Sequence, residues 1–103
     1  FELSIETEFC AAHAIVLGGV REAVHGHNFR VTVTVGGPEL DGEGLLCDFH
    51  AVQAALHPII SRLNNTSLNE VDPFDRVNPT AERVAWHIGE GLKAAVEPVL
   101  PEA

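Results

Sequence analysis

The sequence is poor in cysteine, poor in basic residues and free of long apolar runs. Its 2 cysteines, Cys10 and Cys47, form neither a CxxC motif nor a disulfide framework. They read as two reduced, semi-buried thiols of a cytosolic protein. Lys and Arg number 6 against 15 Asp and Glu, a net charge of −9. That shortage of base excludes nucleic acid as a partner, because counterion release needs clustered Lys and Arg. It equally excludes an anionic membrane surface. No stretch approaches the run of about 18 apolar residues that would span a bilayer. No signal-peptide pattern opens the chain, so a cytoplasmic location is expected. The first residue is Phe1 rather than Met, and a trimmed amino terminus is expected.

What is present describes a small globular unit. The chain has 103 residues, 46% of them hydrophobic and 20% charged, which is far from a disordered composition. Residues 1–103 suit a single domain. A domain of this size buries only about 60–65% of the surface its unfolded chain exposes, so a homo-oligomer is expected. The unusual abundance is histidine, at 6 residues.

Hydrophobic periodicity gives the order strand, strand, helix, helix. Phe1, Leu3, Ile5, Phe9 and Ala11 share one parity with Thr7 and His13, while Glu2, Ser4, Glu6 and Glu8 take the other. The second strand spans about His25 to Val35, with Phe29, Val31, Val33 and Val35 on the parity of His25 and His27. Ala14 to Val24, with Gly18-Gly19, reads as a loop, and Leu45-Leu46-Cys47 as a short strand. Asp48 is a natural cap for a helix whose apolar residues are Phe49, Val52, Leu56, Ile59, Ile60 and Leu63. Pro58 is expected to kink or interrupt it. Asn64 to Asn78 is polar and reads as loop. Asn78-Pro79 opens a second helix with Pro at its first position. Its stripe is Ala81, Val84, Ala85, Ile88, Leu92, Ala95 and Val96, and Pro98 and Pro101 stop it. Two antiparallel strands make a poor sheet, so another chain or strands beyond residue 103 are expected to complete it.

His25 and His27 lie two apart on a strand, so both rings face one way. In an antiparallel pair the end of the first strand meets the start of the second, which brings His13 to them. Three imidazoles suit zinc and leave a fourth position for water or substrate, the pattern of a catalytic centre. A lone strand histidine is more often a hydrogen-bonded core residue, but three of matched parity point to a metal. Gly26 would allow close approach of backbone or ligand. Cys10 faces the opposite side and is rejected as a ligand. His50, His57 and His87 read as surface or boundary residues.

Phe9-Cys10-Ala11-Ala12-His13, His25-Gly26-His27-Asn28-Phe29, Cys47-Asp48-Phe49 and Asn78-Pro79-Thr80-Ala81-Glu82 follow one another in a telling order. The chain resembles the 6-pyruvoyl-tetrahydropterin synthase / 6-carboxytetrahydropterin synthase family over nearly its whole length. The resemblance implies an α+β tunnelling fold: an antiparallel sheet backed by two helices, with the sheets of several subunits joined into a barrel, commonly a hexamer of two trimers. It implies zinc on His13, His25 and His27, and 7,8-dihydroneopterin triphosphate as substrate. Zinc is a Lewis acid, and a separate base must move a proton on the substrate's three-carbon side chain. Triphosphate elimination or a retro-aldol cleavage can follow.

The chain also departs from the family's pattern. Arg21 stands where the family carries its catalytic Cys, four residues before the first His of the HGH motif. Glu22 beside it resembles a subgroup in which Glu replaces that Cys and the product is 6-hydroxymethyl-7,8-dihydropterin, a folate precursor. Glu22 is thus a candidate base, and otherwise a solvated loop acid. Arg21 is a candidate for pairing with the triphosphate, and otherwise solvent-facing. Asn64 and Asn65 replace the family's Asp-His dyad before Leu68-Asn69, and an amide does not relay protons near neutral pH. Thr80 resembles a residue that helps hold the pterin, with helix-start hydrogen bonding as its other role. The family's closing strands carry a Glu that anchors the pterin ring. The chain ends before such strands, and Glu97 and Glu102 do not match that Glu. Two readings follow: a zinc-dependent pterin lyase, or a zinc- and pterin-binding paralogue with little or no turnover. An unrelated zinc hydrolase needs only the three histidines and fits the other motifs poorly.

Overall fold

A computed structural model describes residues 1–96. Strand β1 (Glu2–His13) and strand β4 (His25–Gly36) form a long antiparallel pair, from Glu2 opposite Gly36 to His13 opposite His25. Alternation decides which side is buried. Ile5, Phe9 and Ala11 point inward from β1, while Glu2, Ser4, Glu6, Glu8 and Cys10 are exposed. Cys10 is therefore exposed rather than semi-buried. Burial and then the neighbouring Asp48 push the half-buried Cys47 thiol above its ordinary value, which keeps it protonated.

Two helices cover the inner face. Helix α1 (Phe49–Leu63) begins at Asp48, whose carboxylate accepts from the backbone N–H of His50 and Ala51. Pro58 does not interrupt it. Pro58 and Ala54, the residue whose carbonyl loses its donor, both lie on the exposed face, so the missing bond falls on the solvent side of the helix rather than in the core. Helix α2 (Ala81–Val96) starts two residues later than Asn78-Pro79 suggests. Thr80 is its cap: the Thr80 hydroxyl accepts from the Arg83 backbone N–H at 3.2 Å. Val84, Ile88, Leu92 and Val96 are buried, whereas Ala81, Ala85 and Ala95 are exposed, so the buried stripe is narrower than the apolar pattern. Pro98, Pro101, Glu97 and Glu102 lie outside the described residues. The core joins Ile5 and Phe9 to Val52, Leu56 and Leu63 of α1 and to Ile88 of α2. Leu56→Ala is expected to lower stability by about 2–5 kcal/mol, measurable by urea unfolding.

Three connections differ from the sequence reading. Ala14 to Val24 contains a small hairpin, β2 (Val16–Leu17) and β3 (Val20–Arg21). Its turn needs positive φ at two successive residues, supplied by Gly18 (57°) and Gly19 (80°). Leu45-Leu46-Cys47 forms no strand. The polar stretch after α1 holds β5 (Thr66–Ser67) and a 3₁₀ turn (Leu68–Glu70). Strand β5 pairs in parallel with Ala11 and Ala12, giving a sheet of order β4-β1-β5. The inner residues of β4, from Phe29 to Val35, are only half-buried. Between them and α2 an open apolar groove of about 760 Å³ remains.

His87 on α2 packs its ring edge on Phe74 at 5.2 Å. Burial lowers its pKa, Arg62 lowers it further, and Asp72 opposes both. The unfolded chain therefore takes up this proton at higher pH than the folded one. The contribution is complete above the unfolded-state value and is lost as pH falls through the folded-state value. NMR titration is expected to place the His87 midpoint below that of the unfolded chain. His87→Phe is expected to flatten that part of the acid-unfolding curve.

Candidate metal centre

The antiparallel register builds the site. His13 sits opposite His25 and Ala11 opposite His27, so three rings meet at one end of the β1–β4 pair. The ring centroids lie 4.6–4.8 Å apart and meet edge to face. Phe9 and Phe29 stack at 4.9 Å beneath them, with the Phe29 ring edge-on to His13 and His27. Burial differs sharply across the cluster. His13 is 5% exposed, whereas His25 and His27 are open to solvent. The cluster thus has one rooted ring and an accessible mouth.

Hydrogen bonds define the ring tautomers. A carbonyl oxygen can only accept, so His13 Nδ1 carries a proton and donates it to Pro79 O at 2.8 Å. His25 Nδ1 donates in the same way to Ala23 O at 3.1 Å. In the neutral rings both Nε2 atoms then carry the ring lone pair, the form a metal needs. His13 Nε2 lies 2.9 Å from His27 Nε2, so the proton between them comes from His27. Desolvation, then His13, then His25 push the His27 pKa down, which favours the neutral ring.

This donor set fits a metal. One nitrogen from each ring lies within 4.8 Å of the others, and among the described residues no other group of three such ligands occurs. Two nitrogens bound to one tetrahedral zinc would stand about 3.3 Å apart, given Zn–N bonds of about 2.0–2.1 Å. The 2.9 Å His13–His27 contact needs to open by only a few tenths of an ångström. Three ligands leave a fourth position facing solvent. Gly26 is not required by crowding within this chain, since an added Cβ would meet nothing closer than Ala11 O at 3.9 Å.

The other site candidates are more scattered. Glu22 follows β3, and its backbone N–H donates to Ile15 O at 2.9 Å. The Glu22 carboxylate is exposed and, among the described residues, makes no ion pair. Arg21 ends β3 and is also exposed and unpaired among the described residues. The Thr80 hydroxyl is half-buried and engaged as the helix cap. Asn64 and Asn65 hold the Cys10 backbone: Asn64 Oδ1 accepts from Cys10 N–H at 2.9 Å, and Asn65 N–H donates to Cys10 O at 2.6 Å. Sequence reasoning missed the Pro79 carbonyl under His13 and the amides of Asn69 and Asn78. Its only available signal was the clustering of asparagines around a short strand.

The sequence model of the 6-pyruvoyl tetrahydropterin synthase family matches residues 2–102. This chain belongs to that family. It is 35% identical over 103 residues to the 6-carboxy-5,6,7,8-tetrahydropterin synthase of Bacillus subtilis, covering 94% of this chain and 68% of that protein. It is 33% identical over 85 residues to the dihydroneopterin monophosphate aldolase of Pyrococcus furiosus, covering 82% of this chain and 68% of the relative. The Caenorhabditis elegans 6-pyruvoyl tetrahydropterin synthase superposes with a TM-score of 0.82 at 22% identity, over 99% of this chain and 80% of that one. The α+β tunnelling fold is therefore shared. Among the described residues no helix is long and apolar enough to cross a membrane.

Proposed function

We propose that the protein is a zinc-dependent pterin lyase acting on 7,8-dihydroneopterin triphosphate, with 6-hydroxymethyl-7,8-dihydropterin as its product. The convergence of His13, His25 and His27 carries this reading. Family membership and relatives named as pterin synthases and an aldolase support it. Zinc on the triad would polarise a hydroxyl of the substrate side chain.

The chain's own residues supply the remaining chemistry. Phe29 walls the centre on its inner side, and the solvent-facing His25 and His27 leave room for a side chain to enter. Glu22 is the base. It takes the proton of the hydroxyl on the second side-chain carbon, and the bond between the first and second carbons breaks. The second carbon becomes the aldehyde carbon of a two-carbon triphosphate fragment, which leaves, while the first carbon keeps the electron pair and takes the proton back from Glu22, so that a hydroxymethyl group stays on the ring. The aldolase relative favours carbon–carbon cleavage over triphosphate elimination. Arg21, next to Glu22, supplies a cation for the triphosphate in a chain of net charge −9. Thr80 lies one residue from the carbonyl that orients His13 and takes part in holding the pterin. The free edge that β4 has among the described residues, and the apolar groove beside it, support a homo-oligomer of trimeric or hexameric type as the working state, and a cytoplasmic location belongs to the same reading.

A zinc- and pterin-binding paralogue without turnover remains the second reading, favoured by Asn64 and Asn65. Their hydrogen bonds to Cys10 are those of a backbone clamp, not of a proton relay. Incubation of the zinc-loaded protein with 7,8-dihydroneopterin triphosphate separates the two. The lyase reading expects a new pterin. Retained pterin binding without a product supports the paralogue.

A further inference from the structure

Beyond His13 the chain leaves the β1–β4 ladder, yet its backbone stays paired. On the edge away from β4, strand β5 pairs only with Ala11 and Ala12. The next two positions of the same alternation meet side-chain amides instead. Asn69 Oδ1 accepts from Ala14 N–H at 2.8 Å, and Asn69 Nδ2 donates to Ala14 O at 2.9 Å. Asn78 repeats the pattern on Val16, at 2.8 Å and 2.9 Å. Each amide offers one acceptor and one donor in a plane, as the edge of a neighbouring strand would. The two asparagines thus extend β5 as a strand made of side chains.

This clamp brackets the functional segment. Ile15 lies between the two gripped residues, and its carbonyl holds Glu22 N–H. Asn78 directly precedes Pro79, whose carbonyl orients the His13 ring. Ala14, gripped by Asn69, directly follows His13. His13 is the one buried member of the triad, so its placement sets where the three nitrogens converge. We infer that Asn69 and Asn78 are positioning residues: a paired amide clamp that preorganises His13 as a metal ligand and ties the Glu22 loop to it. The inference rests on the triad being a metal centre.

The test is a zinc competition titration with a chromophoric chelator, run on the wild type and on Asn69→Leu and Asn78→Leu. It is paired with the visible spectrum of the Co²⁺-loaded proteins and with far-UV circular dichroism. The leucine variants are expected to keep the wild-type circular dichroism, lose about 10–100-fold in zinc affinity and show a shifted Co²⁺ spectrum. Asn64→Ala removes a bond to Cys10, outside the segment, and is expected to lower Tm with zinc affinity unchanged. Leucine variants that lose Tm but bind zinc like the wild type would overturn the inference. So would an equal affinity loss in Asn64→Ala, which would mean general loosening. If the leucine variants fail to fold, Asn69→Asp and Asn78→Asp keep the acceptor, lose the donor and are judged by the same criterion. A wild type that binds no zinc would instead defeat the metal reading itself.

Discussion

His27→Ala is expected to strip the protein of zinc while leaving it folded. Apparent binding free energies of about 10–16 kcal/mol for structural zinc sites with four ligands put each ligand at about 3 kcal/mol. Losing one therefore costs roughly 100-fold in affinity, at 1.4 kcal/mol per tenfold. His27 is the cleanest choice because its ring is exposed, so its removal opens no cavity in the core. The variant also leaves His13 Nε2 without its 2.9 Å partner. His13 itself is 5% exposed and bonded to Pro79, so a change there would mix ligand loss with unfolding. Metal analysis after gel filtration is the readout, and turnover at limiting zinc is expected to fall to about 1% or less. Wild-type metal content in His27→Ala would remove this ring from the centre.

Glu22→Gln is expected to have the second large effect, about 10²–10⁴-fold on kcat, with zinc content and KM nearly unchanged. The substitution keeps size and hydrogen-bonding capacity and removes only the base. Its backbone anchor on Ile15 does not involve the side chain, so the loop keeps its course. A steady-state comparison separates the two roles open to Glu22. A base lost from the transition state lowers kcat, whereas a solvated loop acid changes neither constant. Arg21→Ala serves as the neighbouring contrast. A phosphate-pairing arginine is expected to raise KM more than it lowers kcat.

The convergence of the three histidines was legible in the sequence because strand geometry has a period of two. His25 and His27 must share a face, and the antiparallel turn-back must bring His13 opposite them, as the observed register does. The buried face of β1 was legible for the same reason, and that of α1 from the helical period of about 3.6 residues, except that Phe49 of the expected stripe is exposed. Less was visible where elements are very short or, like β5, are defined by long-range contacts. The two-residue strands β2, β3 and β5 carry too few residues for any periodicity. The start of α2 was misplaced because Pro79 suits a first helical position, while the Thr80 hydroxyl that follows it caps the helix, so that α2 begins at Ala81. Pro58 looked disruptive because sequence does not show that Pro58 and Ala54, whose carbonyl it leaves unpaired, both lie on the exposed face of the helix. Asn69 and Asn78 read as loop polarity. Their meaning depends on two backbone sites more than 50 residues away, which no local pattern encodes.

On the reading proposed above, the three histidines form the centre of a pterin lyase. The most direct measurement is the mass spectrum of the pterin recovered after zinc-loaded protein is mixed with 7,8-dihydroneopterin triphosphate, beside a sample stripped by chelator. The account predicts 6-hydroxymethyl-7,8-dihydropterin from the loaded protein, none from the stripped protein, and recovery when zinc is restored. Unchanged substrate in every sample, or product formed equally without metal, would contradict it.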